Sequence, residues 1–398
     1  MDHIDNFQIS LFEGDQLNGE NYDDLRVTLE QLHGAVVWGT DWTAETIVNQ
    51  IEKGLIDLRP KFQRREAWDD RRKSAFIESI IAGLPIPQII LAEKKDKKGA
   101  YLVIDGKQRL ITLRRFFSKS DDDIFPALRL KGIELLPELN NKTYEEICGD
   151  ANLNDYISQV ENQPIRTIVI KNWPNEEFLY NVFLRLNTGS LPLSTQELRQ
   201  ALHPGPFLDF CDDFSVESKP IQKILNIDFP DYRMRDIELV VRYFAFKYFI
   251  VDYPGNLKYF FDETVNKLNF HWPQQENMIV RQAELLNQAI LLCFDIFDGR
   301  PFRKWKNGDF DKRFNRAIYD IMVYYFSNEI IFDIAKDQKE RIKEAFIERC
   351  TNDVDFLSSF EFSTKNITPT QYRFRVWGEE IASILSIPVS IPKIRNER

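Results

Sequence analysis

The apolar positions change period several times along the first half of the chain. TAETIVNQIEKG and the leucine after it set Ile47, Val48, Ile51 and Leu55 on one helical face, with Thr43 as a cap and Gly54 as a stop. DDRRKSAFIESIIAGLPIP repeats that period through Phe76, Ile77, Ile80, Ile81 and Leu84, opening at Asp69 or Asp70 and closing at Gly83 and Pro85. Between the two, LIDL reads as a short strand cut off by Arg59-Pro60. IILAE and AYLVID read as strands joined by the charged turn KKDKKG, and a helix, QRLITLRRFF, follows at once. A gap rich in Asp and Asn runs to about residue 160, then strand IRTIVIK and helix NEEFLYNVFLRLN, which ends at Asn187-Thr188-Gly189. STQELRQAL opens with Ser194 and Glu197 at capping-box spacing.

After HPGP (203–206) the strand signals fade, and RDIELVVRYFAFKYFIV, NMIVRQAELLNQAILLCFDIF, FNRAIYDIMVYYF and QKERIKEAFIERC all carry the helical period. The pattern therefore predicts an α+β domain over 31–203 behind an irregular lead-in (1–30), followed by an all-helical domain over 204–398. The tail IPVSIPKIRNER is expected to be extended and loosely fixed.

Composition adds limits. With 43% hydrophobic and 13% aromatic residues, the chain is not mainly disordered, and its 398 residues suffice for two cores. A net charge of −10 excludes a surface that is basic all over, but not a local basic groove. Such a groove has a candidate in RPKFQRREAWDDRRK (59–73), where seven Lys or Arg stand against three acids, with Phe62 and Trp68 interleaved. Guanidinium groups beside aromatic faces suit phosphates and unstacked bases, whereas the plainer reading is a solvated loop with Trp68 packed into the core. Cys148, Cys211, Cys293 and Cys350 are far apart, as are His3, His33, His203 and His271, so no disulfide, metal cluster or HNH nuclease set is expected. No secretory signal and no apolar span of about 18 residues is seen, so a cytoplasmic protein without a membrane partner is expected.

The chemistry concentrates where YLVID hands over to KQRLITLRRFF. Asp105 is placed to accept hydrogen bonds from the free N–H groups of the helix, and Gly106 to allow a tight turn or close approach by a ligand. Lys107 and Arg109 stand in the first helical turn, where the dipole disfavours cations unless an anion such as phosphate sits there. Gln108 is suited to position a water or read a base edge. The competing reading is an Asp cap with two solvent-facing cations, and spacing alone leaves both open.

Five separated blocks, KFQRREAW, IESIIAGLPIPQIILAE, VIDGKQRL, FLRLNTGSLPLSTQELRQAL and RMRDIELVVRYFAF, resemble the domain-of-unknown-function 262 family, also called the GmrSD N-terminal or DGQQR family. The resemblance implies a ParB/sulfiredoxin-like N-terminal fold and a place in bacterial anti-phage systems. It maps the DGQQR motif onto Asp105, Gly106, Lys107, Gln108 and Arg109, with Lys107 in place of the first glutamine. The family's other blocks fall on Phe62, Gln63, Arg64 and the adjoining Arg65, and on Asn187, Thr188 and Gly189. Asp105, Gln108 and Arg109 are then the expected catalytic residues. Gln63, Arg64, Arg65, Gly106, Lys107, Asn187 and Thr188 are expected to bind phosphate or nucleic acid.

Three functions follow from this reading. The first is hydrolysis without metal or cofactor, of the DNA glycosylase type, removing a modified base from phage DNA. The alternative is binding and hydrolysis of a nucleoside triphosphate with Mg²⁺, working with a separate nuclease partner. The third is a sensor that binds modified DNA or a nucleotide and signals without catalysis.

Overall fold

A computed structural model describes residues 35–58, 67–119, 121–176, 178–179, 182, 194–228, 230–361 and 365–395. These residues form two compact units that divide between Leu202 and His203. The expected lead-in over residues 1–30 lies outside the described residues.

The first unit is built on one mixed sheet in the order β1-β4-β2-β3, from β1 (Val36–Thr43), β2 (Ile89–Glu93), β3 (Tyr101–Asp105) and β4 (Pro164–Lys171). β2 runs parallel to β4, while β1 pairs antiparallel with β4 and β3 antiparallel with β2. Both faces of the sheet are covered, which is why IILA in β2 is an unbroken apolar run and not an alternation. On one face Leu91 and Val169 meet α1 (Ala44–Glu52), α2 (Asp70–Ile81), α3 (Lys107–Phe116), α4 (Tyr144–Cys148) and α5 (Asn154–Asn162) through Ile47, Ile77, Leu110, Ile147 and Ile157. On the other, Ile90, Leu102, Ile104 and Ile170 meet Phe178, Leu179 and Leu198, the last from α6 (Thr195–Leu202).

Three details depart from the sequence pattern, and a fourth follows one of its two readings. β1 is a strand the pattern does not announce, because Val36, Val37 and Trp38 are exposed on a sheet edge and Gly39 and Asp41 break the alternation. LIDL is not a strand, since Ile56 makes only an isolated parallel bridge to Tyr101. The polar gap holds two short helices, and α4 is started by a full capping box between Thr143 and Glu146. Finally, Trp68 packs edge-on against Phe76 with Arg72 over its ring, which is the plainer of the two readings of that tryptophan.

The second unit is mostly helical: α7 (Pro206–Glu217), α8 (Lys219–Leu225), α9 (Arg235–Phe249), α10 (Leu257–Phe270), α11 (Trp272–Ile296), α12 (Arg316–Phe326), α13 (Glu329–Ala335), α14 (Lys339–Asn352), α15 (Val354–Ser358) and α16 (Ile367–Leu385). Together with the first unit this is the α+β arrangement with a helical second half that the pattern predicts. One hairpin interrupts the helices, Trp305–Lys306 against Asp309–Phe310. Its Asn307-Gly308 turn has positive φ at both residues, the turn that matches strand twist. The tail is extended as expected but pinned, because Ile394 N–H donates to Gln371 and Arg395 N–H to the Val251 carbonyl.

The core of this unit carries charge. Arg242 on α9 donates two hydrogen bonds to Asp320 on α12, its Nη2 at 2.7 Å, and Arg316 donates to Glu238 at 3.0 Å. Arg242 and Asp320 are both about 1% exposed, so neither charge is compensated by water. Breaking one partner of a buried pair costs on the order of 3–5 kcal/mol, because the other charge is left uncompensated. Arg242→Met is therefore expected to lower the thermal midpoint of the helical unit steeply, whereas the double replacement Arg242→Met with Asp320→Leu recovers most of the loss. Calorimetry of the single and double variants checks this.

Candidate functional site

The site begins where β3 ends. Gly106, and not Asp105, is the cap residue of α3, with φ +97° and no side-chain cap bond. The expectation of a capping carboxylate is corrected here. A left-handed cap needs glycine, and it leaves the Asp105 side chain one residue outside the helix. The first N–H groups of α3 thus receive no cap from a side chain at this position.

Arg109 fills the space over that turn. Its Nη2 donates to Asp105 Oδ2 at 2.9 Å and to the Gln88 carbonyl, just before β2, at 3.1 Å. One guanidinium therefore joins the end of β3, the entry to β2 and the first turn of α3. A Cβ at position 106 would lie 3.1 Å from Arg109 Nη2 and 3.2 Å from both Arg109 Nε and Ile89 Cγ1. Gly106 is thus required twice, by its backbone angle and by the guanidinium lying against it. Arg109 is only 8% exposed, and its Nε has no hydrogen-bond partner among the described residues. An unsatisfied buried donor costs on the order of 1–3 kcal/mol, a cost that a bound acceptor would remove. Asp105 is more open, at 27% side-chain exposure.

The other motif residues are engaged within the first unit. Gln108 Oε1 accepts from Trp68 N–H at 3.3 Å, tying the motif to the start of α2. Lys107 is buried, and its Nζ donates to Glu197 Oε1 on α6 at 3.3 Å. The two first-turn cations that the dipole disfavours are thus each matched by a carboxylate of this chain. Neither is solvent-facing, as the plain-cap reading had it. Glu197 is a residue that sequence reasoning missed in this role. Its capping box with Ser194 was legible, but nothing local marks a contact across 90 residues of sequence.

Glu197 has buried polar neighbours on α6. Gln196, Arg199 and Gln200 are all buried, and Arg199 donates to Gln196 Oε1 at 2.7 Å. Gln196 Nε2 and Gln200 Oε1 have no hydrogen-bond partner among the described residues.

The basic stretch is only partly described. Gln63, Arg64, Arg65, Asn187, Thr188 and Gly189 lie outside the described residues. Within the stretch, Asp70 gathers Lys131 at 2.9 Å, Arg115 at 3.7 Å and Lys73 at 3.9 Å. Burial works against ionising Asp70, but the Lys131 hydrogen bond and these charges outweigh it, so its carboxyl sits below the usual range. Among the described residues no three His, Cys, Asp or Glu gather to hold a metal, and no helix is long and apolar enough to cross a membrane.

The class these features define is a small α+β domain whose polar centre is a glycine-capped strand-to-helix turn braced by a buried arginine. More specifically, residues 44–204 match the family model described as the GmrSD restriction endonuclease, N-terminal domain, so this part of the chain is similar to that domain. The match covers the strand-to-helix turn and α6 and ends before the RMRDIELVVRYFAF block. No curated protein and no solved structure matches the chain.

Replacing Gly106 by alanine forces a left-handed conformation that costs a side-chain-bearing residue roughly 1–2 kcal/mol, before any displacement of Arg109. Gly106→Ala is expected to lower the thermal midpoint of the first unit, and a midpoint equal to wild type would contradict the geometry described.

Proposed function

We propose that the protein serves in restriction-type defence against phage and acts on modified phage DNA, with the turn Asp105–Arg109 as its reaction centre. The observation that carries this reading is Arg109, a buried guanidinium whose Nε has no partner among the described residues, lying against a helix N-terminus whose cap residue, Gly106, supplies no side-chain bond. Free helix N–H groups and an unsatisfied guanidinium donor together suit an anionic oxygen, which DNA supplies as phosphate. The family's description as a restriction endonuclease domain supports DNA as the substrate class.

The finer proposal is hydrolytic removal of a modified base. Asp105 binds Arg109 through Oδ2, and among the described residues Oδ1 has no partner, which leaves it to a water or to the sugar. In this scheme the target nucleotide is flipped out of the stack and its phosphate is held at the helix N-terminus. The water oxygen bonds to C1′ as the C1′–N bond breaks. Asp105 takes a proton from that water, and the leaving base carries off the bond pair and takes a proton from solvent. Gln108, already fixed by Trp68, is placed to orient the water or the base.

The same anion-favouring features suit a nucleoside triphosphate, which is the second reading, and one experiment separates the two. Modified and unmodified phage DNA are incubated with the purified protein in EDTA and then treated with alkali. Strand breaks that appear only after alkali, only on modified DNA, and not with Asp105→Asn are expected. DNA that stays intact, together with Asp105-dependent phosphate release from GTP or ATP in Mg²⁺, would replace base removal with the nucleotide scheme. If neither occurs and the DNA still shifts on a gel, the protein is a sensor.

Arg109→Ala is expected to abolish protection against phage. Because Arg109 also braces Asp105 and Gln88, Arg109→Lys is the companion variant. It keeps the charge but not the fork, and a folded Arg109→Lys protein that protects as well as wild type would remove Arg109 from the site.

A further inference from the structure

Lys107 is the motif residue whose role the geometry changes most. A lysine at the first position of a helix opposes the dipole, and a buried ammonium is costly unless paired. Lys107 meets both conditions, and its partner Glu197 is buried with it. The two side chains are 10% and 9% exposed, with Nζ and Oε1 3.3 Å apart.

Glu197 is itself held. Its Oε2 accepts from Ser194 N–H at 2.7 Å, and its own N–H donates to Ser194 Oγ at 3.1 Å. One carboxylate therefore caps α6 with one oxygen and holds Lys107 with the other. The next residue, Leu198, is fully packed against Ile90, Leu102 and Ile104 of the sheet. α6 is thus fixed to the sheet by an apolar contact and to the turn by an ionic one, a single residue apart.

We propose that Lys107 and Glu197 are a positioning pair and not part of the DNA-contacting surface. Glu197, locked by its capping box, holds Lys107, and Lys107 fixes the first turn of α3 so that Gln108 and Arg109 are correctly presented. Phosphate recognition is left to Arg109 and the helix N–H groups. This assignment rests on the reading that the turn acts on DNA.

Counterion release separates a positioning cation from a contacting one. Each phosphate contact contributes about 0.9 to the slope of log affinity against log salt on duplex DNA. Binding of a short labelled DNA duplex is measured over a salt series with wild type, Lys107→Met, Glu197→Gln and the charge-exchanged double variant Lys107→Glu with Glu197→Lys. The temperature is one at which circular dichroism finds each protein folded. Both single variants are expected to bind about tenfold more weakly at every salt concentration, with the wild-type slope. The double variant is expected to regain part of the affinity, since the restored ion pair comes without the Ser194 capping bond. A slope reduced by about 0.9 in Lys107→Met would make Lys107 a phosphate contact and overturn the proposal. Affinity unchanged in both single variants would overturn it as well, because the pair would then be purely structural. If wild type binds no DNA, the functional reading fails separately. The pair is then judged on thermal midpoints of the same proteins, where recovery in the double variant supports it and simple addition of the two losses overturns it.

Discussion

The first unit depends on what one guanidinium does at a turn without a side-chain cap. Arg109 reaches back four residues to the acid that ends β3 and across to the carbonyl that precedes β2. Two strands and a helix converge there. The helix can start so close to the strand only because residue 106 has no Cβ and takes a left-handed angle. A Cβ at residue 106 would lie 3.1 Å from Arg109 Nη2 and crowd the guanidinium that braces the turn. The glycine and the arginine are thus one constraint expressed at two positions, and the acid between strand and helix completes it.

The surroundings of the turn repeat the same economy. Gln108 holds the start of α2 through the Trp68 amide, and Glu197 serves both its own helix and Lys107. Charge in this unit is balanced locally: the first-turn cations meet Asp105 and Glu197, and Asp70 collects Lys73, Arg115 and Lys131. An acidic chain can therefore present a polar centre whose unsatisfied capacity lies in directed donors, such as Arg109 Nε, more than in net positive charge. The helical unit uses buried charge differently. Arg242–Asp320 and Arg316–Glu238 join α9 to α12 in a core that also holds many aromatic rings.

Much of this was legible from the chain. Helices α1, α2, α3, α9 and α12, strands β2, β3 and β4, and the capping box of α6 all follow from period and cap residues, because each buries a face whose repeat is local. β1 was not legible, since an exposed edge strand has little need of alternation and carries Val36, Val37 and Trp38 outward. The short helices α4 and α5 hid in a polar stretch where a few buried residues, such as Ile147 and Ile157, suffice to hold them. At the site, the motif located the chemistry but not its wiring. Asp105 read as a cap because cap preference is a local rule. The Arg109 bridge to Gln88 and the Lys107 bridge to Glu197 depend on tertiary placement, which spacing does not encode.

The Lys107–Glu197 pair also bears on how such a sequence changes over time. Two buried, opposite charges 90 residues apart are constrained together, because losing either one removes a compensating charge from the other. A lineage that exchanges the lysine for a neutral donor keeps a partner for the glutamate, whereas one that exchanges it for an apolar residue must alter position 197 as well. Since Glu197 also caps α6, that second change would weaken the helix start. The arrangement thus leaves few viable substitution routes, and an apolar residue at 107 should be found only with a change at 197.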